Sequence, residues 1–485
     1  MSDFAGLDAT AQAELVRSGE IPPGELVAAA IDAIESVDPE LNAVIHRRFE
    51  AATSEVAQAR SGTPFFGVPY LVKDLGPGGR LAGSPYHRGN RALRDAGFVF
   101  EGVDSSVVRR VRDAGFVILG KTNTPELGFS VTTEPDAYGP TRNPWNPAHT
   151  PAGSSGGSAT AVAAGLVPVA GASDGGGSIR MPASACGLVG LKVSRGRVSA
   201  GPQAGSAGGG NSVEHCLTTT VRDTAAMLDI LAGPEPGDPI VAPAPARRFA
   251  DDVGTDPGHL RIGFRTHGLL GPAHPECVAA AESTTRLLAE LGHHVEHAWP
   301  EAMDDATAGF DGIMPAHAAG TAASVAGVGR DLGREVTADD FEARTWEQAQ
   351  AGSAVDAPQF IAALETVVAW SRRIATWWTD HDLLVTPTLG TPPPPLGHLR
   401  WDAPDAIMRA VEFSPFCSVW NWTGQPAISL PLGWSADCLP IGVMLVAAYG
   451  REDLLLRVAA QLEAAQPWRD RRAPIHAART SGPPS

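Results

Sequence analysis

The stretch Thr150–Pro182 (TPAGSSGGSATAVAAGLVPVAGASDGGGSIRMP) constrains the fold more than any other part of the chain. Glycine inside regular structure costs roughly 0.5–1 kcal/mol relative to alanine, so clusters of it need a reason of space or of backbone conformation. Gly153-Ser154-Ser155-Gly156-Gly157 opens a run of small residues, Ala159–Ala164, that reads as a helix without bulky side chains. Such a helix has to lie close against a neighbour. Val167–Ala170 then reads as a buried strand, and Gly175-Gly176-Gly177-Ser178 forms a turn with no side chains over its amides. A turn of this kind can aim several N–H groups at one point, the requirement of a tetrahedral oxyanion, and its serine is placed to attack the same carbonyl.

The rest of the chain alternates in the same way. Thr10–Ser18 and Pro22–Ile34 read as helices, the second opening on prolines with an acid in its first turn. Val68–Val72, Phe116–Leu119, Leu260–Phe264, His294–Ala298 and Asp382–Thr386 read as strands, with two more between 427 and 447. Ser105–Ala114, Pro275–Leu291 and Arg451–Ala464 read as helices, and 303–380 as mainly helical. Strands that are apolar throughout, rather than alternating, predict an α/β fold: a large mixed sheet buried between helices on both faces. Gly233–Gly254 reads as a long surface connection and the polar end, 466–485, as a mobile tail.

Composition narrows the function. A formal net charge of −17 argues against a nucleic-acid partner. No apolar run reaches the length of a bilayer span, and the first residues lack a signal-peptide pattern. The five cysteines are scattered without a CxxC pair, so the reading is a reduced, cytoplasmic protein with neither disulfide framework nor zinc site. Gly115–Thr122 (GFVILGKT) spells the phosphate-loop pattern, but its centre is a buried strand and Pro125 blocks the helix that such a loop must open. Cys186 lies in an apolar setting that makes a thiol inert. His293-His294 has no third metal ligand at suitable spacing, so neither metal nor cofactor is expected.

These residues resemble the amidase signature family. The likeness rests on GSSGGS, on the D-x-G-G-S-I-R-x-P run from Asp174, and on Gly67-Val68-Pro69 with Leu71-Val72-Lys73-Asp74. Gly120–Asn123, Thr141–Trp145, Gly424–Ser429 and Pro440–Gly442 continue it, over about residues 7–465. The resemblance implies one amidase domain, with a catalytic core at 62–235 and a variable, helical substrate region at 300–420. It implies Ser178 as nucleophile, Ser154 as a bridging serine on a cis peptide, and Lys73 as base. It places the oxyanion hole at the amides of Gly175, Gly176, Gly177 and Ser178.

Physical chemistry supports these roles. Lysine accepts a proton only when neutral, and lowering its free pKa of about 10.4 to about 7–8 costs roughly 4 kcal/mol. Lys73 follows the apolar VPYLV, which suits that desolvation. Asp174 and Arg180 are expected to brace the turn. Ala152 stands where the family usually has glycine, and Gly175 where it usually has a larger residue.

Asp8–Ile21, Val131–Pro135 and Ala447–Glu463 resemble the branch of the family that acts on nylon oligomers. Aryl acylamidase or carbamate hydrolase is the alternative, and a glutamine-dependent amidotransferase A subunit a third. The expected partner is a small amide, anilide or carbamate, with a homodimer allowed. Gly153, Tyr138, Met314 and Trp420 are the expected substrate-contacting residues.

Overall fold

A computed structural model of the chain describes residues 4–58, 62–205, 210–403 and 405–478. Its centre is a mixed sheet of eleven strands. In chain order these are β1 (Val44–Arg47), β2 (Pro69–Lys73), β3 (Val117–Thr122), β4 (Val169–Asp174), β5 (Val189–Lys192) and β6 (Val213–Thr218), then β7 (Arg261–Phe264), β8 (His294–Glu296), β9 (Leu383–Pro387), β10 (Ala427–Trp434) and β11 (Pro440–Ala447). Across the sheet they run β1-β3-β2-β4-β6-β5-β10-β11-β9-β7-β8. β2 is parallel to both β3 and β4, whereas β4 and β6 are antiparallel.

The apolar strands are buried on both sides, as their unbroken hydrophobicity requires. Tyr70 and Val72 point into one core layer and Leu71 into the other; Val443 and Leu445 alternate likewise with Met444 and Val446. Helices Ser106–Asp113, Val221–Leu231, Pro275–Glu290 and Glu452–Ala465 cover the first layer. Pro23–Leu41, Gly156–Ala163, Arg180–Cys186 and Ala357–Ala375 cover the second. The α/β architecture expected from the sequence is the one observed.

Most elements fall within a few residues of their expected limits, with two differences of substance. The second helix runs on to Leu41 with Pro39 inside its last turn. The Asp38 carboxylate there accepts from the Ala43 and Val44 amides, and Asn42 ends the helix in the left-handed region. The segment expected as a mobile tail is anchored as far as Ala478. Ile475 N–H donates to Pro144, Ala477 N–H donates to Ala164, and Ala473 and Ala477 are buried. Residues 479–485 lie outside the described residues. No helix among the described residues is long and apolar enough to cross a membrane.

Candidate active site

Parallel pairing places the chemistry at one edge of the sheet. Tyr70 pairs with Val169 and Leu71 with Ala170, so the carboxyl ends of β2 and β4 emerge side by side. Lys73 ends the first strand and Ser173-Asp174 ends the second. The carboxyl edge of such strands is where α/β sheets hold their ligands.

Lys73 is 2% exposed. Its Nζ lies 2.8 Å from Ser154 Oγ and 3.0 Å from Ser173 Oγ. Burial lowers its pKa to about 7, against the opposing pull of Glu214 and Asp174. The desolvation expected from VPYLV is therefore present.

Ser154 follows a cis peptide bond from Gly153. A β-carbon at Gly153 would stand 2.7 Å from the Thr132 carbonyl oxygen, so only glycine lets the two backbones approach this closely. The preceding Ala152 has a φ of 60°, in the left-handed region that favours glycine. Gly128 flanks the serine on its other side, a β-carbon there lying 3.5 Å from Ser154 Oγ.

Ser178, at 8%, is the most accessible of the three side chains. It sits on the turn between β4 and the Arg180–Cys186 helix. The Asp174 carboxylate shapes that turn by accepting from the amides of Gly177 (2.7 Å) and Ile179 (3.1 Å). Arg180 Nη2 bonds Asp174 at 2.9 Å and Asn421 at 2.7 Å. Burial alone raises a carboxyl pKa, yet Arg180 holds that of Asp174 well below the usual range. These two residues brace the loop, as expected.

The Gly177 bond requires a correction. Its N–H is taken by Asp174 and is not available to an oxyanion, which removes Gly177 from the expected amide set. Gly175 and Gly176 are half-buried, and a β-carbon at Gly176 would meet nothing within 4 Å.

The expected substrate-contacting residues fare unevenly. Trp420 is 0% exposed and packs edge-on to Trp378 with ring centroids 6.2 Å apart, so it is core and offers no surface to a ligand. The Tyr138 hydroxyl bonds His87 Nδ1 and lies 3.3 Å from His46 Nε2, beside the Asp74 carboxylate. Met314 is half exposed at the start of helix Met314–Leu332.

Lys121 of the GKT sequence is buried in β3 and donates to Asp74 (3.0 Å), Gly79 and Pro85, a structural role with no phosphate cradle. Cys186 is buried, with its thiol pKa pushed up by desolvation. No group of three or more metal-ligating side chains occurs among the described residues.

Sequence reasoning missed Ser173, Glu214 and Asn421. Ser173 had a usable signal, its place beside Asp174. Glu214 and Asn421 had none, because they arrive from distant segments.

Comparison with known proteins shows the family. The amidase family model matches residues 25–456. The chain is 45% identical over 96% of its length to the 6-aminohexanoate-cyclic-dimer hydrolase of Paenarthrobacter ureafaciens, and covers 96% of that enzyme. It superposes on a structure of 6-aminohexanoate cyclic dimer hydrolase complexed with substrate at a TM-score of 0.92, with 42% identity over 98% of this chain and 100% of that one. A bacterial aryl acylamidase superposes at 0.87, with 29% identity over 99% of this chain and 100% of that one. With a family model spanning most of its length and these glycine-flanked serines at the sheet edge, the chain belongs to the amidase signature family.

Proposed function

We propose that this amidase cleaves small amides through an acyl-enzyme, with Ser178 as nucleophile, Ser154 as relay and Lys73 as base. The observation that carries the reading is the 2.8 Å contact between Lys73 Nζ and Ser154 Oγ in a site where burial brings the lysine to about 7. A neutral amine there accepts the Ser154 proton while Ser154 takes that of Ser178. Ser178 Oγ then attacks the carbonyl carbon, and the oxyanion is received by the amides of Gly175, Gly176 and Ser178. The proton returns through Ser154 to the leaving nitrogen, the C–N bond breaks, and water hydrolyses the acyl-enzyme by the same route.

The chain acts as one amidase domain in this reading, with 62–235 supplying the reacting groups and 300–420 the substrate choice. The proposed substrates are linear or cyclic oligomers of 6-aminohexanoate and similar aliphatic amides, in line with the 45% identity to the cyclic-dimer hydrolase. Anilides and aryl carbamates form the second reading, supported by the aryl acylamidase likeness.

The test pairs a hydrolysis panel (aliphatic amides, anilides, carbamates, esters, cyclic dimer) with active-site labelling. Ser178→Ala is expected to abolish turnover and to block labelling by a sulfonyl fluoride. A wild-type adduct mapped to another residue ends the assignment. Failure on both amides and anilides ends the substrate reading.

A further inference from the structure

Glu214 stands in the second strand beyond Lys73. It lies on β6, directly opposite Ser173 of β4 in the antiparallel register. Residues so paired hold their β-carbons about 4.5–5.5 Å apart. Ser173 Oγ is in turn 3.0 Å from Lys73 Nζ. The Glu214 carboxyl lies over the turn that follows Lys73. A β-carbon at Gly76 would stand 2.6 Å from its Oε1 and 3.7 Å from Ser173 Oγ, and one at Gly78 would stand 2.4 Å from its Oε2. The two glycines leave room that the carboxyl fills.

This placement is costly for a residue with only a packing role. Glu214 is 5% exposed and its Oε1 has no hydrogen-bond partner. Leaving a buried acceptor unsatisfied costs about 1–3 kcal/mol, and more when it is charged. A glutamine or an apolar side chain would fill the space without that charge. The cations facing the carboxyl are Lys73 and Arg80, and the buried phenols of Tyr70 and Tyr86 also feel it. Asp174 is the other acid facing Lys73.

We propose that Glu214 is the positioning carboxylate of Lys73: its charge decides whether the lysine is held as an ammonium ion or freed as the amine that takes the Ser154 proton. This rests on the reading of Lys73 as base. Burial raises the pKa of Glu214 and lowers that of Lys73, which brings the two toward each other and makes them competitors for one proton. With that proton on the lysine the site holds an ammonium–carboxylate pair. With it on the carboxyl both groups are neutral, no separated charges are buried, and the amine lone pair faces Ser154.

The experiment is the pH dependence of kcat/KM for wild type, Glu214→Gln, Glu214→Asp and Lys73→Ala, with circular dichroism as a check of folding. Wild-type activity is expected to rise with pH over the two coupled ionisations around 7, as Lys73 loses its proton. Glu214→Gln removes the charge that holds the ammonium ion, so its rise is expected to follow one ionisation and to move about one unit lower, a tenfold change in the proton equilibrium. Glu214→Asp keeps the charge but withdraws it by a methylene, and is expected to fall between the two. It serves as the test if the glutamine variant does not fold. A folded variant of either kind with the wild-type profile overturns the proposal. Lys73→Ala separates the two claims. If it abolishes the rise while Glu214→Gln leaves it unmoved, only the role of Glu214 falls. If the rise survives in Lys73→Ala, the base reading falls and the proposal with it.

Discussion

Gly175 and Gly177 lie two residues apart in one turn and carry opposite constraints. A β-carbon at Gly175 would meet Ser212 at an ordinary 3.6 Å, whereas one at Gly177 would come within 2.7 Å of Cys417 Cβ at a φ of 128°. Gly175→Ala is therefore expected to fold normally and keep activity within about tenfold, since the site has space for a β-carbon. Gly177→Ala combines backbone strain with overpacking, each costing about 1–3 kcal/mol, and is expected to lower the melting temperature and abolish turnover. Melting curves and kcat for the two variants check this; equal behaviour would refute the distinction. Their sequence context, GGG, is uniform, and the backbone conformation and the packing of Cys417 and Met181 tell the glycines apart.

At the scale of elements, the turn after β4 is organised by one carboxylate. Asp174 accepts from two amides of the turn and from Arg180, and Asn421 Nδ2 donates to it at 2.9 Å. Asp174→Asn keeps the shape but leaves the Arg180 guanidinium buried without its counter-charge. Breaking such a pair costs about 3–5 kcal/mol, read as a fall in the denaturant midpoint together with loss of activity. The pH sign follows from the depressed pKa. The pair contributes stability fully above the unfolded carboxyl value of about 3.9, and loses it only as pH falls toward the much lower folded value. An unchanged midpoint in Asp174→Asn would show that the turn holds without the ion pair.

The strands and helices of this region were legible in the sequence because burial on both faces leaves an unbroken apolar run for each strand. The Asp174–Arg180 brace was legible too, because both partners fall within one short motif. Asn421 was not. It reaches the turn from the helix Val419–Thr423, and nothing in its neighbourhood marks it as polar glue. The same separation misled the reading of Trp420. A tryptophan at that position looks the same in the sequence whether it lines a pocket or fills the core, and here the Ala357–Ala375 layer closes over it.

The whole molecule is closed by its ends. Arg471 stacks over the Trp434 ring at 4.0 Å, and Ala477 bonds back to the end of the Gly156–Ala163 helix. Removing residues 470–485 is expected to lower the melting temperature by several degrees while leaving a folded protein, since only a small apolar area is exposed. An unchanged melting temperature would show that the tail contributes nothing.

By itself the sequence determined the reaction class and the local geometry that serves it. Glycine spacing, small residues and a lysine after an apolar strand act over a few residues, and such constraints are written where they operate. Tertiary structure decided which distant charges face the lysine. Burial lowers the pKa of Lys73 while Glu214 and Asp174 oppose it, and no spacing rule links Glu214 to the lysine. Charge and desolvation act through space, so the groups that tune the lysine come together only when β2, β4 and β6 align.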